Sequence, residues 1–287
     1  MSNEKNKVVG GTLYLVGTPI GNLADISERA RKVLTEADFV AAEDTRNSLR
    51  LLMALGIKNE LVSYHEHNRK SSGEKIIARL LTGESCALIT DAGMPAISDP
   101  GEDIVKMCAD AGVTVSVIPG ACAAVCALAL SGLSTSRFAF EGFLSAKDSE
   151  RKKHLASLSK ESRTMIFYEA PHKLKHTLAD MLDAFGDERK ISLCREITKL
   201  NEEIGRSTLG KAVEYYNANE PRGEYVLVVE GFDGVVISEE TEELISLSPE
   251  EHVQRYVDAG MTRMEATKKA AKDRGMSKSE LYKILNT

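Results

Sequence analysis

The chain has 287 residues, of which 43% are apolar and 28% charged, with a formal net charge of -6. That apolar content excludes a disordered chain, the length favours about two domains, and the negative balance excludes nucleic-acid binding driven by bulk charge. With no Trp and only 5% aromatic residues, a surface built from aromatic platforms for bases is also disfavoured.

The opening MSNEKNKVVGG has no apolar core, so it does not read as a secretory signal. The longest fully apolar run, residues 121–130, is too short to span a bilayer. Cys86, Cys108, Cys122, Cys126 and Cys194 form no CxxC pair and no zinc spacing, and read as small core residues. The expectation is a cytoplasmic protein with no membrane association and no metal.

In chain order, the run at 12–16 reads as a strand. It stops at Gly17-Thr-Pro-Ile-Gly21-Asn22 and enters a helix carrying Ile26, Ala30, Val33, Leu34 and Ala37, with Asp25 and Glu28 as a capping box. Further β-branched runs follow at 39–42, 61–64, 87–90 and 113–118. Helical patterns at 47–55, 74–82 and 102–111 end at Gly56, Gly83 and Gly112. Repeated strand–helix units predict a parallel sheet covered by helices.

A break falls near Ser131-Gly132-Leu133-Ser134. A second set of strands is expected at 137–144, 164–169, 190–197 and 225–230, with Pro171 opening a helix, which makes a mixed sheet. The fold class is therefore two α/β domains, a parallel-sheet N-terminal domain (1–132) and a mixed-sheet second domain (133–232). An acidic linker (233–248) and a small helical appendage (249–287) complete the chain. In the appendage, Thr262 with Glu265 and Ser277 with Glu280 read as capping boxes, and from Met261 onward there are seven Lys/Arg against three Asp/Glu. Its short helices with glycine turns resemble a helix-turn-helix, or form a plain packing appendage.

In an open parallel sheet, ligands bind beyond the carboxyl ends of the strands. The segments at those ends are GTPIGN, Glu43-Asp44-Thr45-Arg46, the stretch from His65 to Arg69, the eleven-residue DAGMPAISDPG from Asp91 to Gly101, and Pro119-Gly120-Ala121-Cys122. One edge thus collects the glycines, prolines and charges. Each piece has a plainer reading. The glycine loop resembles a phosphate turn but has neither common glycine spacing nor a lysine. Asp44 and Arg46 read equally as a surface pair. His65 with His67, and His172 with His176, lack a further ligand to make a metal site. DAGMPAISDPG is harder to set aside: Gly93 lets backbone approach a ligand, and Asp91 and Asp99 offer carboxylates.

On LVGTPIGNLADIS, AEDTR, LITDAGMPAISDPG, IPGACA, FYEAPHKL, CREITKLNEE and PRGEYVLVVEG, in order from Thr12 to Gly231, the chain resembles the tetrapyrrole-methylase-like family of S-adenosylmethionine (SAM) methyltransferases. The match is to its branch that methylates the ribose 2'-oxygen of a cytidine in 16S ribosomal RNA. The resemblance implies a homodimer, SAM as methyl donor between the domains, and the small ribosomal subunit as substrate. It implies SAM contacts at Pro19, Asp91, Gly93, Met94, Pro95, Ile97, Ser98, Ala121, Cys122, Tyr168, Pro171 and Gly223. Met94 and Cys122 depart from the family, where threonine and a small hydroxyl residue are usual.

For catalysis, removal of the ribose proton calls for a base. Glu43 and Asp44 are the first candidates and His65 and Glu196 further ones, with Arg46 and Arg195 to orient a carboxylate or grip a phosphate. Arg46, Arg50, Arg69, Lys70 and the 151–153 run are expected to form a basic rim. Methylation of a tetrapyrrole precursor, or a non-catalytic SAM- or nucleotide-binding regulator, are the alternative functions.

Overall fold

The computed structural model describes residues 7–234 and 239–285. One compact unit runs to Phe232 and a second begins at Asp233.

In the first unit, strands and helices alternate: β1 (Thr12–Val16), α1 (Glu28–Glu36), β2 (Phe39–Ala42), α2 (Thr45–Ala54), β3 (Leu61–Ser63), α3 (Arg69–Leu81), β4 (Cys86–Ile89), α4 (Gly101–Ala111) and β5 (Thr114–Ile118). The strands pair in the order β3-β2-β4-β1-β5, and every pairing is parallel. β2 and β4 are buried at every residue, which is why FVAA and CALI are continuously apolar. Helices cover both faces: Ala30, Val33, Leu34 and Leu52 pack on one, Ile76, Leu80, Ile104 and Cys108 on the other.

The first helix does not start with the expected box. A 3-10 turn (Leu23–Asp25), capped by the Asn22 side chain, comes first, and Ser27 caps α1 by accepting from the Ala30 amide. Asp25 therefore lies before the helix and Glu28 inside its first turn.

The second sheet contains β6 (Phe138–Phe143), β7 (Thr164–Glu169), β8 (Lys190–Arg195), β9 (Glu203–Thr208) and β10 (Tyr225–Val229), in the order β6-β7-β10-β8-β9. β6 and β7 run parallel and the other pairs antiparallel, so this sheet is mixed. One face is covered by α6 (Asp148–Ser157), α7 (Pro171–Phe185) and α8 (Leu209–Ala218), around Leu155, Phe167, Leu174, Leu178 and Leu227. The other face receives α5 (Ala123–Ser131), whose Ala124, Ala127 and Leu128 pack on Ile166, Cys194, Val226 and Val228. That helix precedes the expected division at Gly132, yet it buries its apolar side against the second sheet.

From Asp233 onward, the described part is helical: α9 (Glu239–Ser246), α10 (Pro249–Asp258), α11 (Arg263–Asp273) and α12 (Lys278–Leu285). The stretch expected as a linker thus holds a helix, while its residues 235–238 lie outside the described residues. Val253, Tyr256, Ala266, Ala270, Ala271 and Leu281 form a small core. Ser248–Glu251 and Thr262–Glu265 are reciprocal capping boxes, and Ser277 and Glu280 exchange the same two bonds. His252 is fully buried in this unit. Its Nδ1 accepts from Arg274 Nε at 3.1 Å, and its Nε2 lies 3.5 Å from an Asp273 oxygen.

Candidate active site

The loops after β1, β4 and β5 are joined into one wall. The Gly17 amide donates to the Ile118 carbonyl (3.1 Å) and the Thr18 amide to the Gly93 carbonyl (2.9 Å). The buried Thr18 hydroxyl lies 3.3 Å from the Thr90 and Gly93 carbonyl oxygens. A Cβ on Gly17 would come within 2.6 Å of Gly120 Cα, and one on Gly120 within 2.8 Å of Gly17 Cα. These glycines exist so that two backbones can touch. With the Gly17 and Thr18 amides turned inward, the loop makes no phosphate-binding nest.

The loop after β4 is held by its own aspartate. Asp99 Oδ1 accepts from the Ala96 and Gly101 amides (3.0 and 2.7 Å) and Oδ2 from Ile97 (3.2 Å). Ala96 and Ser98 are forced to φ 66° and 64°, a left-handed conformation that side chains resist and that clusters at ligand clamps. Asp91 accepts from the Asp44 amide (3.3 Å) and from Asn47 Nδ2 (3.1 Å), which ties this loop to the end of β2. Both aspartates are engaged in shaping the site.

Between this wall and the second sheet lies a cleft of about 400 Å³, within the range of small-molecule sites. Of the expected site residues, Glu43, Asp91, Gly93, Met94, Ile97, Ser98, Cys122, Tyr168 and Glu196 line it. Pro19, Asp44, Arg46, Pro95, Ala121, Pro171, Arg195 and Gly223 do not. Pro171 is the first residue of α7, behind Ala170, and Gly223 abuts the Glu196 side chain, where a Cβ would fall 2.5 Å from Cγ.

The two adjacent carboxyl groups at the end of β2 differ sharply. Glu43 is half-buried, and Oε2 accepts from the Thr90 hydroxyl at 3.0 Å. Burial, helped by the charges of Asp91 and Asp99, pushes its carboxyl above the ordinary 4.5, against the Thr90 bond and the nearby His65. Asp44 forms a two-pronged pair with Arg46 (3.1 and 2.8 Å) and accepts from the Arg46 amide, which holds it down at about 2. Across the cleft, Glu196 (φ 49°) accepts from the Glu224 amide and from Lys199, so its carboxyl also lies below the ordinary range. Lys199 bonds Glu224 as well (2.7 Å), and its stem lies against Gly21. Arg195 is spent on the Arg222 carbonyl and Glu203.

Sequence reasoning missed several lining residues: Ile20, Thr90, Phe143, Lys199 and Glu224. Lys199 and Glu224 sit inside the motifs CREITKLNEE and PRGEYVLVVEG, which was a usable signal. The expected basic rim needs one correction. Arg151 is buried, bonded to Asp180 (2.6 Å) and Asp148 (2.7 Å), and so belongs to the core of the second sheet rather than to a surface. Arg69 is paired with Asp103 on the surface. Among the described residues, no group of three or more His, Cys, Asp or Glu is placed to hold a metal, and no helix is long and apolar enough to cross a membrane.

Two α/β sheets flanking one cleft define a two-domain fold with a small-molecule site, and comparison with known proteins identifies its class. The model of the tetrapyrrole (corrin/porphyrin) methylases matches residues 12–213, and the chain belongs to that family. A protein of Bacillus subtilis named ribosomal RNA small subunit methyltransferase I is 48% identical over 95% of this chain and 93% of its own. One of the same name from Halalkalibacterium halodurans is 48% identical over 96% and 94%. The crystal structure of uroporphyrin-III-C-methyltransferase from Thermus thermophilus shares the fold, with a TM-score of 0.54 and 22% identity over 77% of this chain and 94% of that one.

Proposed function

We propose that this methyltransferase transfers a methyl group from SAM to the ribose 2'-oxygen of a cytidine in 16S ribosomal RNA, acting on the small ribosomal subunit. The near-full-length relatives at 48% identity support the RNA substrate. The observation that carries the chemistry is the Glu43 carboxyl, desolvated in the cleft with its pKa raised and no cation bonded to it.

The cleft residues suit the donor. Gly93 (φ 85°) brings backbone against Ala121 and Ile20 where a side chain would crowd them. Apolar Met94 and Ile97 line the cleft there beside Ser98. Asp91, Gly93, Met94, Ile97, Ser98, Cys122 and Tyr168 would hold SAM, with Pro19, Pro95, Ala121, Pro171 and Gly223 shaping the backbone behind them. When bound, SAM supplies a methyl group already activated on a sulfonium. The protein's task is alignment of the attacking oxygen and removal of its proton. Glu43 takes that proton as the new C–O bond forms and the C–S bond breaks. Asp44, held by Arg46 as a weak base, orients Arg46 and caps α2. Glu196 and Arg195 serve as struts on the opposite wall.

A homodimer and a cytoplasmic location belong to the same reading. Exposed Val117, Val125 and Leu200 are apolar surface that a second copy would cover. Light scattering of the intact chain is expected to give twice its 31.3 kDa, and a stable monomer would remove the dimer.

The assay is incubation with methyl-labelled SAM and small subunits from a strain lacking the enzyme, followed by nucleoside analysis. Label in 2'-O-methylcytidine is the expected result. Label on an offered tetrapyrrole and none on RNA would move the chain to the other chemistry of its fold. No transfer to either would leave a SAM-binding regulator.

A further inference from the structure

Phe143 lines the cleft, yet it is 61% exposed and has no part in the chemistry above. It points there because of one extra residue. Along the parallel β6–β7 pair, Phe138 stands opposite Thr164, Ala139 opposite Met165 and Phe140 opposite Ile166. Glu141 is then passed over, so that Gly142 faces Phe167 and Phe143 faces Tyr168. Side chains alternate between the faces of a strand. In an unbroken register Phe143 would stand opposite Glu169, on the face of Met165 and Phe167, which is the side buried under α6 and α7. The bulge turns it onto the face of Phe140 and Tyr168 instead. Bulges are rare in parallel pairs, and near active sites they re-aim a side chain.

The surroundings hold this arrangement in place. Gly142 takes φ 65°, and a Cβ there would come 3.3 Å from Ser98 Oγ, so the bulge lies against the loop after β4. The Tyr168 ring meets Phe143 at 5.4 Å between centroids and Phe140 at 5.0 Å. Its hydroxyl accepts from the Ala124 amide at 3.2 Å, so the ring behind Phe143 is anchored. The result is an aromatic face, braced from one side and open to the cleft on the other.

We propose that Phe143 is the platform on which the target nucleobase stacks while its ribose lies in the cleft, with Tyr168 as the positioning ring behind it. This rests on the RNA reading above. The donor's expected contacts come mainly from the loops after β4 and β5, whereas Phe143 reaches in from the second sheet. Its large exposure places it where a nucleotide swung out of an RNA strand arrives. A π face accepts any base, so the platform sets the position of the ribose relative to Glu43 rather than choosing cytidine.

The test compares Phe143→Ala, Phe143→Leu and Phe143→Tyr with wild type. Methylation of small subunits and the affinity for SAM are measured separately, and thermal unfolding confirms folding. For F143A, kcat/KM for the subunit is expected to fall roughly 5- to 150-fold, the range of base–aromatic stacking, with SAM affinity unchanged. F143Y should retain activity, and F143L, which keeps the bulk but not the ring, should behave like F143A. A matching loss of SAM affinity in F143A would assign Phe143 to the donor and overturn the proposal. Full activity in F143A or F143L would overturn it too. Wild type that labels no RNA would defeat the RNA reading and the platform with it, whereas wild type that labels RNA beside a fully active F143A would defeat the platform alone.

Discussion

Glu43 and Asp44 are neighbours in sequence and opposites in chemistry. The strand that ends in Ala42 delivers Glu43 into the cleft beside Thr90, while the following turn hands Asp44 to Arg46. A carboxyl held near 2 takes up a proton poorly at neutral pH, whereas one raised by burial is better matched to the task. Glu43→Gln is therefore expected to slow single-turnover methylation by about 10²–10⁴-fold at saturating SAM. Asp44→Asn, which keeps a competent N-cap, should cost far less. Near-normal rates for E43Q would remove Glu43 as the base. The pH dependence follows the same sign: as pH falls through the raised value of Glu43, the carboxylate is protonated and the rate falls. E43Q should lose that acid limb, and a pH–rate profile taken from neutral pH down through the acid range reads it.

At the scale of elements, the loop after β1 acts as a fixed wall, because its backbone is locked to the loops after β4 and β5. Gly17→Ala would push a Cβ into the Gly120 backbone, which cannot rotate away. Overpacking of this kind costs about 1–3 kcal/mol, so Tm is expected to drop by several degrees and SAM affinity to weaken. Gly56→Ala is the control: no atom lies within 4 Å of its Cβ, although its φ of 71° strains the substitution. It should lower Tm with no change in SAM affinity, and equal affinity losses in both variants would show that the Gly17 contact does not shape the site. The carboxyl-edge loops were legible because β1, β2 and β4 are buried and apolar. β9 was not, since EIGRST is a half-exposed edge strand with no apolar run. Asp25 was misread because a 3-10 turn intervenes, a step that periodicity does not register. Arg151 looked like part of a solvated charge run because its partner Asp180 lies 29 residues away. Phe143 was invisible for a deeper reason: face alternation in a sequence assumes an unbroken register, and a bulge breaks it.

At the scale of the whole molecule, the two compact units should answer differently to acid. His252 is kept neutral in the second unit by burial and then by the charge of Arg274, with Asp273 pulling the other way. Its Nδ1 accepts from Arg274, so a proton there would set two cations face to face. Above the ordinary 6.5 both folded and unfolded chains leave it neutral and no stability is lost. Below that, the unfolded chain takes up the proton first, so stability falls as pH drops toward the lowered folded value. Hydrogen exchange in the intact protein, corrected for intrinsic rate, should quicken in α10 and α11 between about pH 7.5 and 5.5. Unchanged protection there would mean that Asp273 compensates the charge.

The skipped residue in β6 also has a hereditary consequence. A substitution rewrites one side chain, but loss of the Glu141 codon would rewrite none of its neighbours: Gly142 would still face Phe167 and Phe143 would still face Tyr168, now in an unbroken register. A sheet built this way can lose or regain one codon at that point and still show the same face to the cleft.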